Sequence, residues 1–117
     1  MSVHYFNSAT VIRPDTCSHA VQAGDQLHVG GVIGTAGPEP RLVDGGTSAQ
    51  ARQALVNMRS VLACAGAELA QVVRVQMFLT DLRDFPEVDA IFKSVFGKQG
   101  SVTSTLCADV TDMTGVM

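Results

Sequence analysis

One continuous block, from Asp44 to Gly97, constrains the fold of this chain more than any other part of it. Within the block, apolar residues recur at helical spacing, then alternate with polar residues, and then recur at helical spacing again. The block therefore predicts a helix, a strand and a second helix. The whole chain has 117 residues, a length that predicts one domain spanning 1–117.

The first helix is predicted to begin at Thr47, which forms a capping-box pattern with Gln50. Gly66 is suited to end it, because glycine readily adopts the left-handed backbone conformation found there. Cys64 lies near the apolar stripe and is expected to be buried. The stripe comprises Ala51, Ala54, Leu55, Met58, Val61, Leu62 and Ala65. The opposite face is predicted to carry Arg52, Gln53, Asn57 and Arg59.

Residues 73–79 alternate between apolar and polar side chains and predict a strand with one face on the core. The second helix is predicted to start at Asp84, with Pro86 in its first turn, and to end at Gly97. Its buried stripe comprises Phe85, Val88, Ile91, Phe92, Val95 and Phe96. A final strand is predicted over 102–110.

The N-terminal third reads as β-structure. Strands are predicted over 3–8, 18–23 and 27–33, with a hairpin turn at Gly24 and Asp25. A loop follows over 34–46 and includes a short strand at 41–43. Together the elements predict an α+β fold, in which both helices cover one face of a mixed sheet. We expect another subunit to cover the second face, since an exposed apolar face of that size usually marks an oligomer interface.

Composition excludes several classes of function. The net charge is -3 and the basic residues are scattered, so no basic footprint for nucleic acid is present. Apolar runs are too short to span a membrane, and the N-terminus lacks the pattern of a secretory signal. Three well-separated cysteines and no convincing His, Asp or Glu spacing argue against a metal site and a disulfide framework. We expect reduced thiols and a cytoplasmic location.

The stretch AQARQALVNMRSVLACAGAELAQVVRVQMFLTDLRDFPEVDAIFKSVFG resembles the reactive-intermediate deaminase family (Rid, or YjgF-like), as does SHAVQAGDQLHVGG more weakly. The resemblance covers nearly the whole chain. It implies a chorismate-mutase-like fold, a homotrimer whose sheets form a central barrel, and ligand pockets between neighbouring subunits. Members characteristically hydrolyse enamines and imines to carbonyl compounds and ammonia, without cofactor or metal. Several relatives carry an endoribonuclease label, and some have no recognised activity.

This chain departs from the family pattern at the substrate pocket. The family's arginine, in a motif close to PARS, grips the substrate carboxylate, but GSVTSTLC stands here and places Thr103 at that position. Threonine cannot form the charged, bidentate fork of a guanidinium. We therefore expect a divergent member with another substrate or with no catalysis, unless Arg13 or Arg74 of an adjacent protomer replaces the missing cation.

Further departures follow from the same comparison. Cys17 aligns with the family's pocket tyrosine, and Asp89 with an asparagine of the second helix. The serine and glycine of the SGQ motif become Gly30 and Gly31, followed by Val32. The chain ends at Met117, before the strand that carries a pocket glutamate in relatives. The predicted substrate-binding residues are Cys17, His19, Gly31, Val32, Asp89, Thr103 and Thr105.

Each candidate also has a structural explanation. The main-chain amide of Gly31 can contact a ligand, or the glycine can serve close strand packing. Cys17 and Cys107 are the weak candidates for catalysis; each can equally be an inert thiol, and His19 beside Cys17 an ordinary surface histidine. Asp89 can be a solvated helix residue. Thr103 and Thr105 can be ordinary strand residues.

Three functions stay open. The first is an enamine or imine deaminase of altered specificity, dedicated to one pathway and not acting on 2-aminoacrylate. The second is a non-catalytic trimer that binds a small metabolite or a protein. The third is a ribonuclease, which the acidic balance and the absence of a basic groove disfavour.

Overall fold

The computed structural model describes residues 2–13 and 17–96, together with the main chain of residues 102–107. Within these ranges three strands precede a helix, a strand, a helix and a final strand, which confirms the predicted α+β order. The elements are β1 (Val3–Phe6), β2 (Ala20–Ala23), β3 (Gln26–Val29), α1 (Gly46–Cys64), β4 (Arg74–Leu79), α2 (Phe85–Phe96) and β5 (Val102–Cys107).

The first three strands form an antiparallel sheet in the order β1-β2-β3. Ala23 pairs with Gln26, so the intervening two residues make the tight turn predicted at Gly24 and Asp25. The core side of this sheet carries Phe6, Ala20 and Val29, which are cross-strand partners, and these pack with Val61 of α1. Strand β3 ends at Val29, four residues before its predicted end.

The second half of the chain is a βαβ unit. Strands β4 and β5 pair in parallel, and α2 is the crossover between them. Burial alternates strictly along β4, with Val75, Met77 and Leu79 on the core side, as predicted. Met77 and Leu79 pack with Val88 of α2. Antiparallel and parallel pairings are thus both present, although as two hydrogen-bonded groups within the described residues, and residues 108–110 of the predicted last strand lie outside them.

Helix α1 spans both groups of strands, because Val61 contacts the first core cluster and Ala51 the second. Its C-terminus confirms the prediction for Gly66, which has φ 72°. The amide of Gly66 donates to the Ala63 carbonyl, and the amide of Ala67 to the Leu62 carbonyl. These two bonds form a Schellman motif, in which glycine avoids the strain of a left-handed backbone.

The start of α1 differs from its prediction. The helix begins at Gly46, before Thr47, and no side-chain hydrogen bond caps it. The hydroxyl of Thr47 donates instead to Oδ2 of Asp84, at 3.1 Å, and the hydroxyl of Ser48 donates to Oε1 of Glu87. Helix α2 begins directly after Asp84. The polar side chains predicted to cap each helix therefore tie together the N-terminal ends of α1 and α2, which run side by side in the same direction.

Two residues of α1 lie on the side opposite to that predicted. Asn57 is only 3% exposed, because the loop after β3 crosses the helix there and its carbonyls need donors. Cys64 is exposed, because the buried part of α1 ends at Leu62 and the helix continues beyond the core. Apolar periodicity alone indicates neither the loop nor the end of the core.

The strand faces turned away from the helices expose large apolar side chains. Tyr5 on β1 is 66% exposed and Phe78 on β4 is 53% exposed. Val73 is predicted on the core face of its strand, but this prediction is wrong, because the strand begins only at Arg74 and Val73 is 78% exposed. Solitary exposed apolar residues are normal, but aromatic side chains on open strand faces are typical of surfaces that a partner covers. In the part of the chain that the structure describes, no helix is both long and apolar enough to cross a membrane.

Candidate functional site

His19 fastens the segment before β2 to the loop after β1. Its main-chain amide donates to Oδ1 of Asn7 at 2.9 Å, and its ring Nδ1 accepts from the amide of Ser8 at 2.9 Å. Because an amide can only donate, Nδ1 is unprotonated and Nε2 carries the proton. Nε2 then donates to the carbonyl of Ile12 at 2.7 Å.

The interpretation of His19 as an ordinary surface histidine is therefore wrong, since the residue is 9% exposed and both ring nitrogens contact main-chain atoms. A general base for Cys17 would need one of those nitrogens. We assign His19 a structural role in this region and no proton transfer.

Gly30, directly after β3, contacts the segment that precedes β2. Its amide donates to the carbonyl of His19 at 3.0 Å. A side chain at Gly30 would approach the carbonyls of Ser18 and His19 only at ordinary contact distance. The structure thus joins His19 to Gly30, whose neighbour Gly31 is a predicted site residue, while Cys17 lies two residues before His19 in the chain. Cys17 and Gly31 are exposed, and Val32, the next predicted residue, is half-buried.

The loop that begins at Gly31 is anchored on α1. The side-chain nitrogen Nδ2 of Asn57 donates to the main-chain carbonyls of Ile33 and Thr35 at 2.9 and 3.1 Å. Between those carbonyls, a Cβ at Gly34 would lie 2.5 Å from the main-chain oxygen of Gln50, so only glycine fits. Gly31 and Val32 therefore lie between two anchored residues, Gly30 and Ile33.

Asn57 is a buried anchor of the candidate site, whereas the sequence pattern predicts it on the exposed face of α1. A signal was present, since Asn57 lies three residues after Ala54 and four before Val61, both on the predicted stripe. A polar residue at a buried helical position needs hydrogen-bond partners, and here the loop carbonyls supply them.

The remaining predicted residues belong to the βαβ unit. Asp89 is half-buried on α2 and forms an ion pair with Lys93 one turn later, at 3.0 Å. That geometry fits its interpretation as a helix residue with a solvated partner. Thr103, Thr105 and Cys107 lie on β5 and are the register partners of Val75, Met77 and Leu79. The predicted site residues thus fall into two groups, one beside the start of β2 and the end of β3, and the other on α2 and β5.

The first group of predicted residues offers hydrogen-bond donors, a thiol and one cation. A fixed loop offers main-chain amides near an exposed thiol, and Arg13, directly after the Ile12 carbonyl that His19 holds, is an exposed cation. Such a site can orient a polar molecule and polarise a carbonyl or imine nitrogen. Among the described residues, no cluster of three or more His, Cys, Asp or Glu side chains is placed to hold a metal ion.

Comparison with known proteins shows the family to which the chain belongs. Residues 13–116 match the family model described as Endoribonuclease L-PSP. A 2-iminobutanoate/2-iminopropanoate deaminase of Dermatophagoides farinae is 33% identical over 89 residues, which make up 76% of this chain and 70% of that protein. The human protein of the same name is 37% identical over 79 residues, 68% of this chain and 58% of that protein.

Among solved structures, RidA from the Antarctic bacterium Psychrobacter aligns with a TM-score of 0.82 and 26% identity, over 90% of this chain and 85% of that one. The family model, the named relatives and the fold point the same way. The chain belongs to the Endoribonuclease L-PSP (YjgF/Rid) family.

Proposed function

We propose that this protein is a cofactor-independent enamine or imine deaminase with altered substrate specificity. The observation that carries the proposal is the loop from Gly30 to Thr35, which hydrogen bonds from Asn57 and to the His19 carbonyl hold in place. Relatives named 2-iminobutanoate/2-iminopropanoate deaminase support the reaction class. A catalytic site needs groups that are already oriented, and this loop supplies them.

The site is proposed to lie between subunits of a homotrimer. The first group of predicted residues, around Gly31, lies beside the start of β2 and the end of β3, and the second, around Thr103, lies on β5. Exposed Tyr5 and Phe78 on the open strand faces support subunit contacts there. Sedimentation equilibrium tests the assembly: a mass three times that of the chain is expected, and a stable monomer would contradict it.

The reaction adds water across the carbon–nitrogen double bond. The water oxygen bonds to the imine carbon while the nitrogen gains a proton, and the resulting carbinolamine then expels ammonia as its hydroxyl proton leaves and a carbonyl forms. An enamine first takes a proton on carbon to become the imine. The Gly31 amide is proposed to polarise the substrate, while Cys17, Thr103 and Thr105 shape the cleft.

The altered specificity rests on Thr103. A neutral hydroxyl replaces a guanidinium, so a small 2-imino acid loses its charged anchor. Removing charge-assisted hydrogen bonds from a buried carboxylate costs on the order of 2–5 kcal/mol, which is roughly 30- to 3000-fold in affinity. The favoured substrate is therefore an imine or enamine that carries no carboxylate next to the reacting carbon.

Ammonia release from a panel of imines tests this. Each carboxylate-bearing imine is paired with an analogue in which a neutral group replaces the carboxylate. We expect faster turnover of the neutral member, and Thr103→Arg should shift the preference towards the carboxylate. Arg13→Gln is the control for a substitute cation. Efficient turnover of 2-aminoacrylate that is lost in Arg13→Gln would show that Arg13 supplies the anchor and would refute altered specificity.

A non-catalytic binding protein is the second candidate. It is favoured by the hydrogen bonds from both His19 ring nitrogens to main-chain atoms, because a ring held in that way is poorly placed to act as a general base. Thermal-shift screening against metabolites would support it if ligands stabilise the protein while no ammonia appears. Ribonuclease activity ranks last, given the net charge of -3. Intact single-stranded RNA after incubation with the purified protein would dismiss it.

A further inference from the structure

A groove separates α1 from α2 on the side of the molecule away from the open strand faces. The two helices are tied at their N-terminal ends through Thr47 and Ser48, and the groove opens one turn further along. Its volume is about 250 Å³. Pockets for drug-sized ligands start at roughly 300 Å³, so this groove suits a smaller molecule.

The floor of the groove is apolar. Leu55 of α1 and Ile91 of α2 are buried beneath it, and Val56 and Val95 form its sides. Val56 is 53% exposed, although it lies in the middle of the longest helix described. An apolar ligand body in the groove would remove that surface from water, which is favourable.

The rim of the groove is basic. Arg52 and Arg59 both line it and both are exposed. They lie seven residues apart on α1, which places their Cα atoms roughly 10 Å apart along the helix axis. The described ion pairs of the protein join Arg83 to Asp81 and Lys93 to Asp89, so the two rim guanidinium groups are not among them.

The polar group on the α2 side does not compete for the ligand. The hydroxyl of Ser94 donates to the carbonyl of Ile91 at 2.6 Å, so its proton is already used. The charged donors at the rim are therefore the arginines, and guanidinium groups pair best with carboxylate oxygens.

We propose that this groove is a binding site for a small amphipathic carboxylate. The acid group lies at Arg52 or Arg59, and the apolar body covers Leu55, Val56 and Val95. No residue of the groove belongs to the proposed deaminase site or to the exposed strand faces. The groove is thus separate from the residues of the proposed reaction.

The test is a nitrogen-15 NMR titration of the full chain with three probes of equal chain length: octanoate, octanol and octylammonium. Octanoate is expected to shift the amides of 52–59 and 91–95 in a saturable manner. It should bind about tenfold more tightly than octanol, because only octanoate gains a charge-assisted hydrogen bond. Equal affinity for octanoate and octanol, shifts elsewhere in the chain, or no saturation at low millimolar octanoate would overturn the proposal.

Variants separate the charge from the apolar floor. Arg52→Gln and Arg59→Gln together should abolish the preference for octanoate over octanol, while Val56→Asn should weaken both ligands. Arg41→Gln is the matched control, because Arg41 is exposed and lies outside the groove. All four changes are at exposed positions, so the fold is expected to persist. A loss of octanoate affinity in Arg41→Gln as large as in the double variant would indicate nonspecific charge attraction and refute the site.

Discussion

The two sides of the molecule are held together in different ways. On the N-terminal side, which comprises β1–β3, their loops and the α1 residues packed on them, polar residues are buried with the apolar core. Among the described residues, the buried polar side chains all belong to this side: Ser8, His19, Thr35 and Asn57. On the C-terminal side, which comprises β4, α2 and β5, the buried side chains described are Val75, Met77, Leu79, Val88 and Ile91.

On the N-terminal side, hydrogen bonds fix the positions of loops, whereas on the C-terminal side apolar burial stabilises the packed strand and helix. Hydrogen bonds depend on direction, so Asn57 and His19 fix loops in one arrangement. Apolar burial stabilises without fixing direction, and it suits a βαβ unit whose strand and helix already determine the geometry. The loop proposed to contact the substrate is on the hydrogen-bonded side.

Gly34→Ala is expected to have the largest effect, because the new Cβ would lie 2.5 Å from the Gln50 carbonyl oxygen and 2.7 Å from its Cα. Main-chain atoms on both sides cannot give way easily, so the free energy of unfolding should fall by about 3 kcal/mol. Urea denaturation measures it. Gly30→Ala is the control and should cost far less, since its Cβ would meet nothing closer than 3.7 Å. Equal losses would mean that the loop does not lie against α1 as described.

Asn57→Leu breaks the hydrogen-bonded side directly. The carbonyls of Ile33 and Thr35 lose their donor, and leaving buried groups unsatisfied should cost about 2–3 kcal/mol. Hydrogen exchange should also rise specifically in residues 31–36.

Val88→Ala on the C-terminal side is the comparison variant. It should cost about 2 kcal/mol through the lost methyl groups and the cavity, without local exchange in that loop. If Val88→Ala loosens residues 31–36 as much as Asn57→Leu does, the division between the two sides is wrong.

The C-terminal side was also the more predictable from sequence. Alternation along β4 and the stripe of α2 report burial directly, because apolar cores leave a periodic pattern. Thr47 and Asn57 were misassigned for one shared reason. The sequence shows that a side chain is polar. Whether its hydrogen-bond partner is water, the end of its own helix or a distant carbonyl depends on tertiary contacts.

The candidate site was predictable to a smaller extent. Family position predicts Cys17 and Gly31, and both are exposed in the structure. The role of His19 could not be read from sequence, because its partners Ser8 and Ile12 are 11 and 7 residues away in a loop without periodicity.

Thr35→Val is expected to stabilise the N-terminal side, in contrast to the destabilising variants above. The hydroxyl of Thr35 is buried, the residue is 2% exposed, and Oγ1 has no hydrogen-bond partner. Replacing it with a methyl group of similar shape removes a desolvated polar atom, so the free energy of unfolding should rise by about 1 kcal/mol. Thr10→Val is the control, since that hydroxyl is exposed and contacts Ser8. If Thr35→Val is destabilised instead, a buried water forms a hydrogen bond with the Thr35 hydroxyl, and the described buried polar groups of the N-terminal side all have partners.

The smallest effect is expected at the junction of β4 and α2, where Arg83 pairs with Asp81 at 2.6 Å. Hydrogen bonds from the Arg83 side chain and main chain hold the pKa of the Asp81 carboxyl below its ordinary value. A lowered folded-state pKa stabilises the protein above the unfolded-state pKa, and this contribution is lost as the pH falls through the folded value. Arg83→Ala should therefore raise the carboxyl pKa in a carbon-13 NMR titration and reduce stability slightly at pH 7.

The difference in stability between variant and parent should shrink as the pH falls through the folded-state pKa of Asp81, because protonation removes the charge that Arg83 pairs with. Arg41→Ala, at an exposed loop position, is the control. The Arg83 side chain is 91% exposed and the Asp81 side chain 38% exposed, so solvent screening should make the loss of stability in Arg83→Ala much smaller than that in Val88→Ala. A loss comparable with that of Val88→Ala would mean that charge, and not apolar burial, supports the C-terminal side.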